Sequence, residues 1–377
     1  MKDIVKDFDR SQPIVEKNSV RNKKNKHKII PFFIPHIGCP YICVFCNQPH
    51  ITGQSMPVKA SMIAQVIEEY VTSIKTDTHW EVAFFGGSFS AIPRSIQKEL
   101  LTPAYAAWKE GLIDAIRCST RPDAVDDEEL DFLYMHGLRT VELGVQSMDD
   151  EILVRSKRGH TSEQVKEAVQ RLRQRGFQVG LQLLPGLPGE TWTTLIRTAV
   201  AISALQPDFV RIYPVLVIEH TELADMYRAG SYTPLSIKEA VAYSAFLKSW
   251  FEMHHIRVIR TGLQSTEDLD AGTHLVAGPY EPAMGELVIN QQWKERLLQC
   301  IDQYMEVYND RPRTITIGYP SRLTSQVRGV GRKNMIELQA KYPTVQWVWR
   351  ETDVCHLDRM ITCTIDGSTY ILHRFML

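Results

Sequence analysis

Gly38-Cys-Pro-Tyr-Ile-Cys-Val-Phe-Cys-Asn47 closely follows the apolar run Lys28-Ile-Ile-Pro-Phe-Phe-Ile34. The spacing of Cys39, Cys43 and Cys46 is C-x3-C-x2-C, with Phe45 just before the last cysteine. Three thiolates this close together can hold three irons of a [4Fe–4S] cube, which a fourth would normally close. The missing ligand leaves one iron open to something other than protein. Zinc is the competing reading, because His50 follows Cys46 by four residues and would complete a Cys3His site. A disulfide fits less well, since three cysteines leave one unpaired. An apolar run that ends in a ligand-bearing loop reads as a buried strand with its chemistry at the C-terminal end.

The same strand-then-helix unit repeats outward from this point. Ser61 to Ile74 has helical spacing at Ile63, Val66, Ile67, Tyr70, Val71 and Ile74. Glu81-Val-Ala-Phe-Phe85 reads as a buried strand closed by Gly86-Gly87, and Ser95 to Lys109 as helix. Further strands are expected at Ala115–Cys118, Thr140–Val145, Gln178–Leu184 and Phe209–Tyr213. Helices are expected at Asp126–His136, Thr161–Arg175, Thr191–Ala204 and Lys238–His254, and a further strand at Arg257–Ile259. Gly137 and Gly176 suit C-terminal caps. Alternating strands and helices mean βαβ units and a parallel sheet. Six units curl into an incomplete barrel, whose ligand sites belong at the C-terminal ends of the strands. The cysteine loop sits at such an end, a place that a structural zinc has no reason to prefer.

Composition limits the classes. At 377 residues, 44% apolar and 23% charged, the chain is ordinary for a globular protein of one large α/β domain and a smaller one. A net charge of −1 gives the whole molecule no electrostatic footprint for nucleic acid, and no DNA partner is expected. No apolar run is long enough to span a membrane, and the N-terminus lacks a signal-peptide core. The chain therefore reads as cytoplasmic. Residues 1–28 read as a polar basic tail with little order of its own. Its run Arg21-Asn-Lys-Lys-Asn-Lys-His-Lys28 is either a solvated face or a grip for a phosphate backbone. Cys118, Cys300, Cys355 and Cys363 are scattered and read as buried free thiols.

Four further segments carry a resemblance: Gly86-Gly-Ser-Phe89, Val141-Glu-Leu-Gly-Val-Gln-Ser147, Lys157-Arg-Gly-His-Thr161 and Leu184-Pro-Gly-Leu-Pro-Gly-Glu190. With Ser119-Thr-Arg-Pro-Asp123 and the cysteine motif, they are similar to the radical S-adenosylmethionine (SAM) enzymes. Within that superfamily they resemble the family of the Elongator catalytic subunit and, more distantly, oxygen-independent coproporphyrinogen oxidase. The likeness runs from about Ile29 to Glu286 and takes in Arg260–Gln264 and Ala277–Glu286. It implies an α/β fold, an incomplete (β/α)6 TIM-like barrel of the radical SAM type over 29–286, followed by a small α+β C-terminal domain over 287–377. It implies that Cys39, Cys43 and Cys46 bind the cluster and that SAM binds the open iron. Gly86, Gly87, Ser88, Gln146 and Arg158 would contact SAM, Gln146 toward the ribose and Arg158 toward the carboxylate. Tyr280 and Glu286 would face substrate as catalytic candidates. The reaction implied is reductive cleavage of SAM to a 5′-deoxyadenosyl radical, with flavodoxin or ferredoxin as electron donor. One departure is Gln182, where coproporphyrinogen oxidase has an acidic residue.

By that resemblance the first substrate reading is tRNA or another RNA. The alternatives are a small molecule, such as a tetrapyrrole, and a non-catalytic Elongator-like protein that binds RNA or a partner. After Glu286 the expected elements are helix 292–308, strand Thr314–Ile317, helix Lys333–Tyr342 and strands Thr344–Trp349 and Thr362–Leu372. Gln326-Val-Arg-Gly-Val-Gly331 matches the acyl-CoA loop pattern Q-x-x-G-x-G, but only one strand precedes it within this segment.

Overall fold

A computed structural model describes residues 26–34, 39, 42–47, 58–73, 78–264, 267–352 and 359–375. His50 of the zinc reading, Cys355, and residues 1–25 of the tail lie outside them. The first half of the chain alternates β1 (Lys26–Ile34), α1 (Ala60–Ser73), β2 (Thr78–Gly86), α2 (Arg94–Lys109), β3 (Ala115–Thr120), α3 (Asp127–Met135) and β4 (Leu138–Gln146). It continues with α4 (Asp150–Arg155), α5 (Ser162–Gln174), β5 (Gln178–Leu183), α6 (Trp192–Leu205), β6 (Phe209–Ile212), β7 (Val217–Ile218), α7 (Glu222–Arg228), α8 (Ile237–Met253) and β8 (Arg257–Thr261). Strands β1 to β6 and β8 make one parallel sheet in that order. The sheet curls, because residues of both edge strands, Phe33 of β1 and Arg260 of β8, line one cavity.

Period-two alternation explains what lies on each side of the sheet. Ile30 and Phe32, Val82 and Phe84, Ile116 and Cys118, Val141 and Leu143, and Val179 and Leu181 form the core under the helices. The helices answer with apolar stripes such as Ile63 and Ile67, Leu130 and Leu133, and Val165 and Leu172. Local signals fix the helix starts. The side chains of Thr161, Thr191 and Ser236 each accept a backbone N–H in a capping box at α5, α6 and α8.

The inward positions of the middle strands are largely polar, whereas β1 and β2 also turn Phe33 and Phe85 inward. Glu142 is fully buried and accepts from Arg117 (2.8 Å), Arg211 (2.7 and 3.0 Å) and Gln182 (3.0 Å). Arg117 also donates to Glu81, which His27 bonds at 2.9 Å. Burial works against the charge of Glu81, but the bonds from His27 and Arg117 hold its carboxyl below the usual range. Two carboxylates and two guanidiniums thus close the base of the barrel as a paired network.

Three expectations change. The tail ends at the strand, not at residue 28, because Lys26, His27 and Lys28 pair with Thr78, His79 and Trp80. Arg257–Thr261 is a full seventh strand, paired along β6. After α9 (Glu267–Asp270) and β9 (Leu275–Ala277), which pairs with β7, the long helix α10 (Met284–Tyr308) starts well before residue 292. It therefore runs through the expected boundary between 286 and 287. Met284 and Val288 pack on α8, while Trp293, Leu297 and Ile301 enter the core of the C-terminal module.

That module consists of β10 (Thr314–Tyr319), α11 (Thr324–Arg328), α12 (Lys333–Lys341), β11 (Gln346–Glu351), β12 (Met360–Ile365) and β13 (Ser368–His373). Its sheet order is β11-β10-β12-β13, with β10 and β11 parallel. Among the described residues no helix is long and apolar enough to cross a membrane.

One loop predicts a pH dependence. Burial pushes Glu190 up to about 8, against the opposing effect of the Gly186 N–H that its carboxylate accepts at 2.5 Å. The folded state therefore holds a proton that the unfolded chain releases near the ordinary carboxylate range. This contribution is complete at low pH and is lost as pH rises from the unfolded value through about 8. Glu190→Gln is expected to flatten the fall in thermal midpoint between neutral and mildly alkaline buffer. The gain on the alkaline side is about 1–3 kcal/mol, discounted because the residue is half-exposed. Equal alkaline slopes in both proteins would refute it.

Candidate active site at the mouth of the half-barrel

The C-terminal ends of the parallel strands open on a cavity of about 480 Å³. Cys39, Cys43 and Cys46 share its wall with Gly86, Gly87, Ser88, Gln146 and Arg158, so eight of the ten residues expected in the site meet there. Tyr280 and Glu286 do not line it. Tyr280 packs with Leu216, Ile218 and Leu269, which do, and its hydroxyl donates to Asp270 at 2.5 Å. Glu286 lies in the first turn of α10.

The cysteine loop is pinned by elements that the sequence reading did not anticipate. Val44 donates to the Ser156 carbonyl at the end of α4 and accepts from Leu223 N in α7. Its side chain is buried among Ile152, Leu187, Val217 and Leu223. Asn47 reaches the Glu219 carbonyl at 2.8 Å. Cys43 is consequently buried, while Cys39 and Cys46 are half-buried, and none of the three forms a disulfide. Among the described residues no three metal-ligating side chains yet converge on a point.

Two guanidiniums stand beside the thiols. Arg158 donates to Cys43 Sγ at 3.3 Å and to the Gly144 carbonyl at 2.6 Å. Arg121 clasps Asp123 with two bonds and donates to the Arg158 carbonyl at 2.6 Å. Burial opposes the charge of Arg121, but Asp123, together with Cys39 and Cys43 facing it, raises its pKa. Burial and the cations of Arg158 and Arg121 push His160 down to about 3, so the ring is neutral. Its Nε2 is 3.2 Å from the Val145 carbonyl.

The backbone makes room for a ligand. Gly86 has φ +109°, and a Cβ there would stand 2.4 Å from the Ile34 carbonyl oxygen. Gly87 N donates to that same oxygen, tying the turn to the end of β1. A register shift between Gly144 and Gln146 ends β4, and Gln146 has φ +70°, uncommon outside glycine. Gln146 Oε1 and Arg158 Nε are buried and have no hydrogen-bond partner among the described residues. Such orphaned groups call for a ligand or an ordered water. With three cysteine sulfurs beside a guanidinium, the donor set fits an iron–sulfur cluster and a polar cosubstrate.

Arg121, Arg211, Tyr213 and Arg260 also line the cavity. The sequence signals them only through strand register, since inward and outward residues alternate. Gln182, the departure noted above, spends its amide on Ser119 and Glu142.

Comparison with known proteins agrees with this geometry. The radical SAM superfamily profile matches residues 33–202 and the radical SAM C-terminal domain profile matches residues 207–295. The tRNA uridine(34) acetyltransferase of Methanocaldococcus infernus is 36% identical over 191 residues, which is 50% of this chain and 35% of that protein. The chain thus spans about a third of the length of that relative. An uncharacterized protein of Methanocaldococcus jannaschii is 30% identical over 237 residues, 58% of this chain and 71% of the relative. In structure, the archaeal M. infernus Elp3 with its N-terminus deleted superposes with a TM-score of 0.55 at 23% identity, covering 90% of this chain and 74% of that one. Two consecutive profiles cover the half-barrel and its outer wall, and the chain belongs to the radical SAM superfamily.

Proposed function

We propose that the protein cleaves SAM reductively and that the resulting radical acts on tRNA. The observation that carries this reading is the shared cavity wall, where three cysteines, a glycine turn and two orphaned polar groups face one space. Cys39, Cys43 and Cys46 would hold a [4Fe–4S] cluster, which supplies one electron to split the C5′–S bond of SAM into methionine and a 5′-deoxyadenosyl radical. Arg158 fixes the Cys43 sulfur and keeps positive charge beside the thiolates. Gly86 and Gly87 admit close backbone approach, and Gln146 offers an acceptor. Phe33, Phe45, Phe85, Leu216 and Leu263 line the same space and exclude water from a reactive intermediate. Tyr280 buttresses this wall, so we assign it a positioning role.

The choice of tRNA is supported by the relatives named for tRNA uridine acetylation. It extends to the radical step and not to acetyl transfer. A flavodoxin or ferredoxin would supply the electron, in the reducing cytoplasm that free thiols suit.

The test is anaerobic reconstitution, reduction with dithionite and SAM, and measurement of 5′-deoxyadenosine with and without bulk tRNA. Formation that tRNA accelerates is the expected result. Formation indifferent to tRNA would move the substrate to small molecules. No formation with an intact cluster would overturn catalysis.

A further inference from the structure

The Gly-rich segment that matched an acyl-CoA loop is built differently from one. Gln326 lies inside helix α11, and Gly329 to Arg332 join α11 to α12, so the turn connects helix to helix rather than strand to helix. The full order is β10, α11, a Gly329-Val-Gly-Arg332 turn, α12, then β11 parallel to β10 and β12 antiparallel to it. A strand, two short helices joined by G-x-x-G, and a further strand is the arrangement of the KH module. Its turn grips the backbone of about four nucleotides of single-stranded nucleic acid. Here the fourth position of the turn is Arg332. We propose that the C-terminal module is a KH-like site that binds single-stranded RNA across the Gly329–Arg332 turn and the neighbouring edge strand β11.

Three features suit the turn to a phosphodiester backbone. Gly329 has φ +80° and ψ 153°, and a Cβ there would stand 2.8 Å from Asn334 N, so the turn can fold this tightly only with glycine. Buried Asn334 locks it by donating to the Asn290 carbonyl in α10 and the Val327 carbonyl in α11. Gly331 is the opposite case, since a Cβ at that position would meet nothing within 4 Å among the described residues.

Charge agrees. From Ser321 to Tyr342 the basic residues are Arg322, Arg328, Arg332, Lys333 and Lys341, against one acid, Glu337. That acid is engaged by Lys294 at 2.6 Å. Arg332 and Lys333 are exposed at the turn, and Arg350 is exposed on β11. This local excess stands out on a chain whose net charge is −1. Trp347 and Trp349 of the same strand, stacked with centroids 5.8 Å apart, pack against the module's core on the face opposite Arg350 and leave the turn and its cations to carry the site. The module lies outside both radical SAM profiles, and its turn is separate from the cavity. Choosing RNA over DNA rests on the tRNA reading above; the backbone grip does not.

The test is fluorescence anisotropy of the full chain with a labelled single-stranded RNA of about ten nucleotides and a DNA of the same sequence. Binding is expected to weaken with salt at a log–log slope near −3, about 0.7 per phosphate for four phosphates. Val330→Asp combined with Gly331→Asp is expected to weaken RNA binding at least about tenfold. Asp tolerates the left-handed backbone at residue 331, and an unchanged thermal midpoint checks the fold. The uncharged pair Val330→Ser with Gly331→Asn is expected to stay within about threefold of the parent. Equal binding by the parent and the double-Asp protein, or no binding by the parent, would overturn the site. DNA bound as tightly as RNA would overturn the assignment to RNA. This readout needs no turnover, so it can fail or succeed independently of 5′-deoxyadenosine formation.

Discussion

Cys43→Ser is expected to yield a folded protein that forms no measurable 5′-deoxyadenosine, a loss of at least about a thousandfold if the cluster is not assembled. Cys43 is the most enclosed of the three thiols and the one that Arg158 touches. Serine keeps the volume but replaces a soft thiolate with an alcohol that stays protonated, and the remaining two thiols cannot hold three irons. The broad absorbance near roughly 400 nm expected of a Cys-ligated cluster should disappear from the reconstituted variant. The fold should tolerate the change, because Val44 anchors this loop through backbone bonds and its own buried side chain. A variant that keeps both absorbance and turnover would remove Cys43 from the ligand set.

Glu142→Gln carries the second large effect, this time on stability. Its carboxylate is fully buried between the guanidiniums of Arg117 and Arg211. An amide of the same shape leaves those cations without their counter-charge, at a cost of about 3–5 kcal/mol. Arg117 retains Glu81, so Arg211 carries most of the loss. Glu142→Leu combined with Arg211→Met removes a charge pair together and should recover a large part of the stability. Urea unfolding of the three proteins reads this directly. If Glu142→Gln costs less than the double substitution, the network is not the paired cluster described above.

The sequence made the repeating strand–helix order legible because the outward residues of each strand are apolar and the helices carry matching stripes. Gly137 and Gly176 marked helix ends and do take positive φ. The cavity wall was legible because its ligands come as local motifs, the cysteine loop and Gly86-Gly-Ser88. The interior was not. Glu81, Arg117, Glu142 and Arg211 are spread over 131 positions, and only the register of five strands, β2 to β6, brings them together. Helices α4 and α7, which hold Val44, are of six and seven residues, too short for periodicity to declare itself. Tyr280 seemed a substrate residue because it sits in a polar, family-like segment. Its hydroxyl pairs with Asp270 and its ring packs behind Leu216, Ile218 and Leu269, which line the cavity. The early start of α10 was hidden by Pro282 and Gly285, which punctuate the sequence without stopping the helix.

That helix works as a gear shaft. Its 25 residues span about 37 Å, with one end keyed into α8 and the other into the C-terminal sheet. An uninterrupted helix transmits angle as well as distance. A single residue inserted between Asn290 and Trp293 would turn the C-terminal module by about 100° relative to the half-barrel, whereas four residues would nearly restore its phase and push it about 6 Å outward. Length changes in this stretch are therefore quantised. The bearing of the Gly329–Arg332 turn toward the barrel mouth is set by counting residues along one helix, rather than by the reach of a flexible tether.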